Sequence, residues 1–404
     1  MRLSLLLMVA IPLGVLGADL KAVEAKAAAL KAKGDAAGAL AAYQEAATLD
    51  PHSARFEDEI GFLLAVMNRR SEAVAHFQRA IQLDAHFAPA QFHLGAAYFL
   101  DHEIERSIPH LQSAAALDPN QPAYQSKFGQ ALVAAGQYRD AIPHLKAATA
   151  RQPGDADGWS NLATALDKTG DPEHALEAYR RAVELQPSNA EARNSLGLML
   201  VKVHRADEGI AQFQKVLERS PSNNAARFNI GFAYLQKAEL DRAVAAFRDL
   251  LARDPDNAAA HYNLGVALKN KDEIDAAKQE LARAVQLDPT LAEAHYMIGI
   301  ACWQSGDFDG AVKEMRAAIA IRSEYAEAYF MLGTALKQKG DLPGAEEALR
   351  TAIRLDPGNP GAYNTLAQIL RQKGEIEESK RLFAEGDRVK QAKEAELRTL
   401  LERK

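Results

Sequence analysis

The side chains of this chain best suited to metal or acid–base chemistry are histidines, and they recur at a fixed interval. His76, His110 and His144 stand 34 residues apart, as do His261 and His295. Three imidazoles are a zinc set in kind, but this spacing puts each ring one structural period from the next. Packed helices lie ~8–10 Å apart, too far for rings to share an ion bound at ~2 Å. Asp155-Ala156-Asp157-Gly158 has the opening of a calcium loop, yet Leu166 stands where the bidentate glutamate belongs, so the segment reads as a turn. Cys302 is the single cysteine, which excludes an intramolecular disulfide and a thiolate zinc site. It occupies a position that other periods fill with Leu or Tyr, and no sequence neighbour would activate it, so it reads as a core residue. There is no nucleotide-binding glycine-rich loop, no His-Glu-x-x-His and no Gly-x-Ser-x-Gly. The expectation is a protein that is not an enzyme and takes neither metal nor cofactor.

The elements that carry these residues are written in the same 34-residue period. Prolines fall at Pro51, Pro119, Pro153, Pro187, Pro221, Pro255, Pro289 and Pro357, with gaps of 34 or 68. Eleven units fit between residues 20 and 393, leaving 394–404 as the charged end of a last helix. The eighth position of each unit is Gly or Ala, as at Gly61, Gly129 and Gly265, which lets a second helix approach closely. Sixteen residues on stands a large side chain, such as Phe77, Leu145 or Leu281, on the face of that second helix. Between them Gly34, Gly136, Gly170, Gly306, Gly340 and Gly374, or Asn68, His102, His204 and Asp272, suit a left-handed helix end. An acid usually follows, such as Asp35, Glu103, Asp171, Glu239, Glu273, Asp307, Asp341 or Glu375, placed to cap or favourably charge the second helix. Ser53, Asp155, Asn189, Asn223, Asn257 and Asn359 are placed to cap the first helix of the following unit. Each unit is therefore predicted to be helix–turn–helix.

This pattern of period, small residues, mid-unit glycine and terminal Asp-Pro resembles the tetratricopeptide repeat (TPR) family. Tyr262-Asn263-Leu264-Gly265 and Ser160-Asn161-Leu162-Ala163 are most similar to the repeat region of O-linked N-acetylglucosamine transferase, but nothing is left over for a transferase domain. The resemblance implies an all-α solenoid, a right-handed superhelix whose concave groove is lined by first helices, and binding of partner proteins or extended peptides as the function. It also implies which positions face the groove. The fifth gives Phe92, Phe228, Tyr262, Tyr296 and Phe330; the sixth gives Asn161, Asn229 and Asn263. An Asn amide can both donate to and accept from a peptide backbone, and a neighbouring ring supplies apolar contact. The same residues also suit repeat packing, the alternative reading. The asparagine series is broken by Glu59, His93, Lys127, Ser195, Met297, Met331 and Thr365. Residues 224–359, which add Phe232 and Trp303, are the favoured binding segment. A carboxylate clamp from Lys168, Lys202, Lys269 and Lys337 is disfavoured because Asp167, Glu191 and Glu293 share the surface.

Composition bounds the rest. A net charge of −6 gives no general reason to bind nucleic acid, and 48% hydrophobic with 25% charged residues excludes both a disordered chain and a polytopic membrane protein. Residues 1–17 read as a signal peptide: Leu3 to Gly17 is uncharged, contains Pro12 and is shorter than the ~20 residues of a membrane span. Cleavage is expected after Gly17 or Ala18, with an uncleaved anchor as the alternative and no cysteine to take a lipid. Abundant alanine suggests a bacterial chain, hence a periplasmic or secreted one. The expected function is an exported non-catalytic scaffold or adaptor. The alternative is an accessory protein of envelope assembly or exopolysaccharide export, working with a separate catalytic or porin subunit.

Overall fold

A computed structural model describes residues 13–402, and every regular element among them is an α-helix. The chain divides into two compact units, one up to Met199 and one from Leu200 onward. The first holds α1 (Leu13–Ala32), α2 (Ala36–Leu49), α3 (Ala54–Val66), α4 (Arg70–Leu83), α5 (Ala88–Leu100), α6 (Ile104–Leu117), α7 (Pro122–Ala134), α8 (Tyr138–Arg151), α9 (Ala156–Thr169) and α10 (Pro172–Leu185). The division falls within α11 (Ala190–Lys202). The second unit continues with α12 (Ala206–Arg219), α13 (Asn224–Gln236), α14 (Leu240–Leu251), α15 (Ala258–Asn270), α16 (Ile274–Leu287) and α17 (Ala292–Gln304). It ends with α18 (Phe308–Ile321), α19 (Ala326–Gln338), α20 (Leu342–Leu355), α21 (Pro360–Gln372) and the long α22 (Ile376–Glu402). Residues 1–12 of the expected signal peptide lie outside the described residues, and residues 13–17 begin α1.

Hairpins form because helix ends fall where the sequence places them. The six mid-unit glycines have φ between 74° and 85°, and Asn68, His102, His204 and Asp272 have φ between 60° and 66°. Ala238 takes the same left-handed turn at φ 56°, with no sequence signal to announce it. The aspartates cap: Asp35, Asp155, Asp171, Asp307 and Asp341 accept from the backbone N–H three residues on. Asn189, Asn223, Asn257 and Asn359 also cap first helices. Glu103, Glu239 and Glu273 stand at N-cap positions but accept no such bond, since the extra methylene carries the carboxylate past the first-turn donors. Ser53 likewise makes no side-chain cap, contrary to expectation.

Within a hairpin, the eighth-position glycine sits under the large residue of the second helix. A Cβ on Gly265 would lie 2.6 Å from Leu281 Cγ, and one on Gly129 would lie 2.5 Å from Leu145 Cγ. Leu281, Leu145 and Phe247 are fully buried against such glycines, each worth ~1.5–3 kcal/mol of apolar transfer. Hairpins then stack: α3 touches α5, α5 touches α7 and α7 touches α9 in the first unit, as α13, α15, α17, α19 and α21 do successively in the second. First helices thus form a continuous strip within each unit.

Candidate functional site

In the second unit the strip carries aromatics at one position of four successive repeats: Phe228 on α13, Tyr262 on α15, Tyr296 on α17 and Phe330 on α19. All four are half-buried. Phe228 meets Phe247 edge-on at 5.7 Å and packs against the α14–α15 core. Tyr296 lies 5.1 Å from Tyr325, the residue that precedes α19. Phe330 reaches Gly361 on α21, where a Cβ would stand 3.1 Å from its Cζ. Phe330 therefore bridges to the following repeat, Tyr296 contacts the N-cap residue of the following first helix, and both rings stay partly exposed.

Burial sets the electrostatics of this strip. It pushes the Tyr262 and Tyr296 hydroxyls above the ordinary tyrosine value, helped by Glu293 and Glu327 respectively. Tyr325 is pushed up to about 12, chiefly by burial, with Arg322 opposing. The Arg322 guanidinium stacks 3.6 Å from the Tyr325 ring and donates to Glu293 at 2.7 Å. All of these phenols are uncharged donors and acceptors at neutral pH, suited to recognition.

The asparagines divide. Asn263 and Asn161, the latter in the first unit, each donate to the carbonyl four residues back, Ala259 O and Asp157 O, both at 2.8 Å. Their Oδ1 atoms are left for another donor. Asn229 is 9% exposed and sits largely beneath the surface. Trp303 packs half-buried against the α18–α19 core with its Nε1 enclosed and unpaired.

Models of the tetratricopeptide repeat match residues 63–122 and, in overlapping windows, 126–360, and a second such model covers 336–403. The chain belongs to the tetratricopeptide repeat family. No curated protein matches this TPR chain. Among solved structures, a TPR protein from Parabacteroides merdae ATCC 43184 is 14% identical, with 62% of this chain and 98% of that one covered and a TM-score of 0.53. Yeast Tom70 is 16% identical over 96% and 97% with a TM-score of 0.49, and MamA is 29% identical over 41% and 97% with a TM-score of 0.39. The first of these shows the fold.

The TPR hairpins also account for the histidines. His76 bonds Glu57 at 2.7 Å, His110 bonds Gln91 at 2.8 Å and His144 bonds Gln125 at 2.7 Å, each reaching from second helix to first. In the second unit the polarity reverses: His261 on α15 bonds Glu280 at 2.6 Å, and His295 on α17 bonds Glu314 at 2.7 Å. No metal-ligating cluster occurs among the described residues. The Asp155 loop is a turn, its carboxylate accepting from Gly158 N at 2.9 Å and from Ser126 Oγ at 2.7 Å. Cys302 is buried, which raises its thiol pKa and leaves it a poor nucleophile. Of the clamp lysines, Lys337 donates to Gln368.

Sequence reasoning missed two features. One is the Tyr325–Arg322–Glu293 cluster; a bulky Tyr325 where five other repeats have a capping Asn or Asp was its signal. The other is a recurrent bond tying repeats together. Gln91, Gln125, Trp159, Arg193, Arg227 and His261 share the fourth position of their repeats. Each reaches the carbonyl six residues upstream, on Ala85, Pro119, Pro153, Pro187, Pro221 and Pro255. Four side-chain chemistries perform one task, so no residue pattern revealed it.

Proposed function

We propose that this TPR protein is a non-catalytic scaffold that holds extended segments of partner proteins along its first-helix strip, with residues 224–359 as the principal segment. The observation carrying the reading is the half-buried aromatic series Phe228, Tyr262, Tyr296 and Phe330, accompanied by the free Oδ1 of Asn263. Rings already held by packing lose little rotamer freedom on binding, and an adjacent amide oxygen can accept from a peptide N–H. The fold supports the same class, because repeat arrays present extended surfaces rather than an enclosed reaction chamber.

Export belongs to the same proposal. It is supported by the uncharged run Leu3–Gly17 and by the packing of α1, whose Leu20, Val23, Ala27 and Leu30 meet the first core. Cleavage after Gly17 or Ala18 would retain all four. No helix among the described residues is long and apolar enough to cross a membrane. N-terminal sequencing of the chain recovered from its native host reads the cleavage directly, and an intact Met1 start would overturn it.

The binding reading is tested by cross-linked capture of partners with the native chain and with Tyr262→Ala/Asn263→Ala. These two positions are chosen because Phe228, Tyr296 and Phe330 also hold core contacts. Partners should be captured by the first and lost from the second while circular dichroism stays unchanged. Partners retained by a folded double variant would remove this segment from the binding surface.

A further inference from the structure

A second recognition feature lies in the first unit, away from the aromatic series. A cavity of about 260 Å3 opens between α3, α4 and α5. Phe62, Ala65, Phe77, Ala96 and Ala97 form its walls, and the Arg70–Asp101 ion pair, 3.0 Å long, crosses its rim. Beside that pair and Asn68, apolar groups stand exposed at the opening. Leu100 lines the mouth at 62% exposure, and Val66, at 61%, follows Ala65 on the same helix. Exposed apolar groups gathered around one opening mark a contact site rather than scattered surface hydrophobes.

The polar end of the cavity is built, not incidental. His93 lies 5.5 Å from Phe62 and 5.4 Å from Phe77, ring to ring. Its Nδ1 is 2.8 Å from Oδ1 of Asp58, a carboxylate only 4% exposed. The acceptor carboxylate requires the hydrogen to sit on Nδ1, which fixes the ring's orientation and leaves Nε2 as its remaining polar atom. Nε2 has no hydrogen-bond partner among the described residues. On the far side Lys31 stacks 4.4 Å over Phe62 and pairs with Glu59, holding that wall in place.

We propose that this pocket receives the phenolic side chain of a tyrosine from a partner's extended segment. The cavity is below the ~300–1,000 Å3 of sites for whole small molecules, and so fits one large side chain. Its walls demand an apolar, flat body. Its inner end demands a tip that can bond Nε2 in either state of the imidazole, and a hydroxyl does so by donating to the bare nitrogen or accepting from the protonated one. An indole N–H can donate to the bare nitrogen but cannot accept from the protonated one, and a phenyl ring suits the walls but offers Nε2 nothing. The tyrosine's origin in a partner rests on the scaffold reading above; the pocket's chemistry does not.

The test uses the full chain with N-acetyl-tyrosinamide and N-acetyl-phenylalaninamide, titrated by saturation-transfer NMR. The tyrosine probe should bind about fivefold more tightly, the worth of one neutral hydrogen bond. Ala65→Trp, at an exposed position on the wall, should abolish binding of both. Removing the dyad as Asp58→Ala/His93→Phe, so that no buried carboxylate is stranded, should equalise the two probes. Equal binding to the native chain, or none, overturns the proposal. Tyr262→Ala/Asn263→Ala should leave probe binding intact; its loss there would move the probe to the second unit and also overturn the proposal. Probe binding without any captured partner would sink the scaffold reading and leave the pocket standing, and captured partners without probe binding would do the reverse.

Discussion

Ala238 shows how one residue can run against the local chemistry around it. It occupies the left-handed turn that six other hairpins give to glycine, with φ 56°. A Cβ in that conformation costs ~1–2 kcal/mol, whereas glycine's added freedom in the unfolded chain takes back ~0.4–1 kcal/mol. Ala238→Gly should therefore stabilise its repeat by up to about 1.6 kcal/mol. The readout is slower hydrogen exchange at Glu239 N, which bonds Tyr234 O at 3.0 Å across the turn. Unchanged or faster exchange there would show that the turn is unstrained. The neighbouring turns were legible because Gly, Asn, His and Asp advertise left-handed backbone, and alanine does not. The capping outcome has a similar root: charge near a helix start is visible in sequence, but only aspartate's reach lets it accept from the first-turn N–H groups.

At the scale of the helix pair, the histidine rungs and the fourth-position bonds meet in Gln125. Its Nε2 donates to Ala115 O at 3.0 Å and to Pro119 O at 3.4 Å, its Oε1 faces His144 Nδ1 at 2.7 Å, and the side chain is 5% exposed. Gln125→Leu keeps the volume but strands its three partners, and should cost about 1–3 kcal/mol, read as a lower denaturation midpoint for α6–α8. A neutral result would mean that water replaces the lost partners. The same region carries a pH dependence. Burial lowers the pKa of His110, aided by Arg106, and lowers that of His144 against the pull of Asp140. Both rings hold their protons less well folded than unfolded. Their contribution is thus fully present above the ordinary value of 6.5 and declines as pH falls below it toward the lowered values. Exchange protection in α6 and α8 should weaken below that point, and the loss should shrink in His110→Gln/His144→Gln. An unchanged pH profile in that variant would assign the acid sensitivity to other groups. Proline, glycine and small-residue spacing made each hairpin legible. Which side chain would join one repeat to the next was not, because Gln, Trp, Arg and His all supply a donor at the right distance.

For the whole molecule, the repeat period settled the fold, since a unit that cannot bury its own faces must stack on its neighbours. The candidate site was less legible for the same reason. A ring at the fifth position is favoured both by packing and by binding, and only the structure shows that Phe330 leans on the following repeat and Tyr296 on the N-cap residue that leads into it, while Asn229 is covered. Stacking also dictates how damage should spread. In Gly265→Leu the new side chain would drive into Leu281, whose Cγ is already 2.6 Å from an added Cβ, and into Ala277 O at 3.2 Å. Leu281 is fully buried and cannot swing outward without opening α15 from α16. Overpacking of this kind costs ~1–3 kcal/mol. Because each hairpin touches only its neighbours, the loss should be steepest in α15 and α16, smaller in α14 and α17, and absent from α3–α6. Residue-resolved hydrogen exchange of the full chain tests this gradient. Uniform acceleration from α3 to α21 would mean that the chain unfolds as one cooperative body and that its binding surfaces are not local to single repeats.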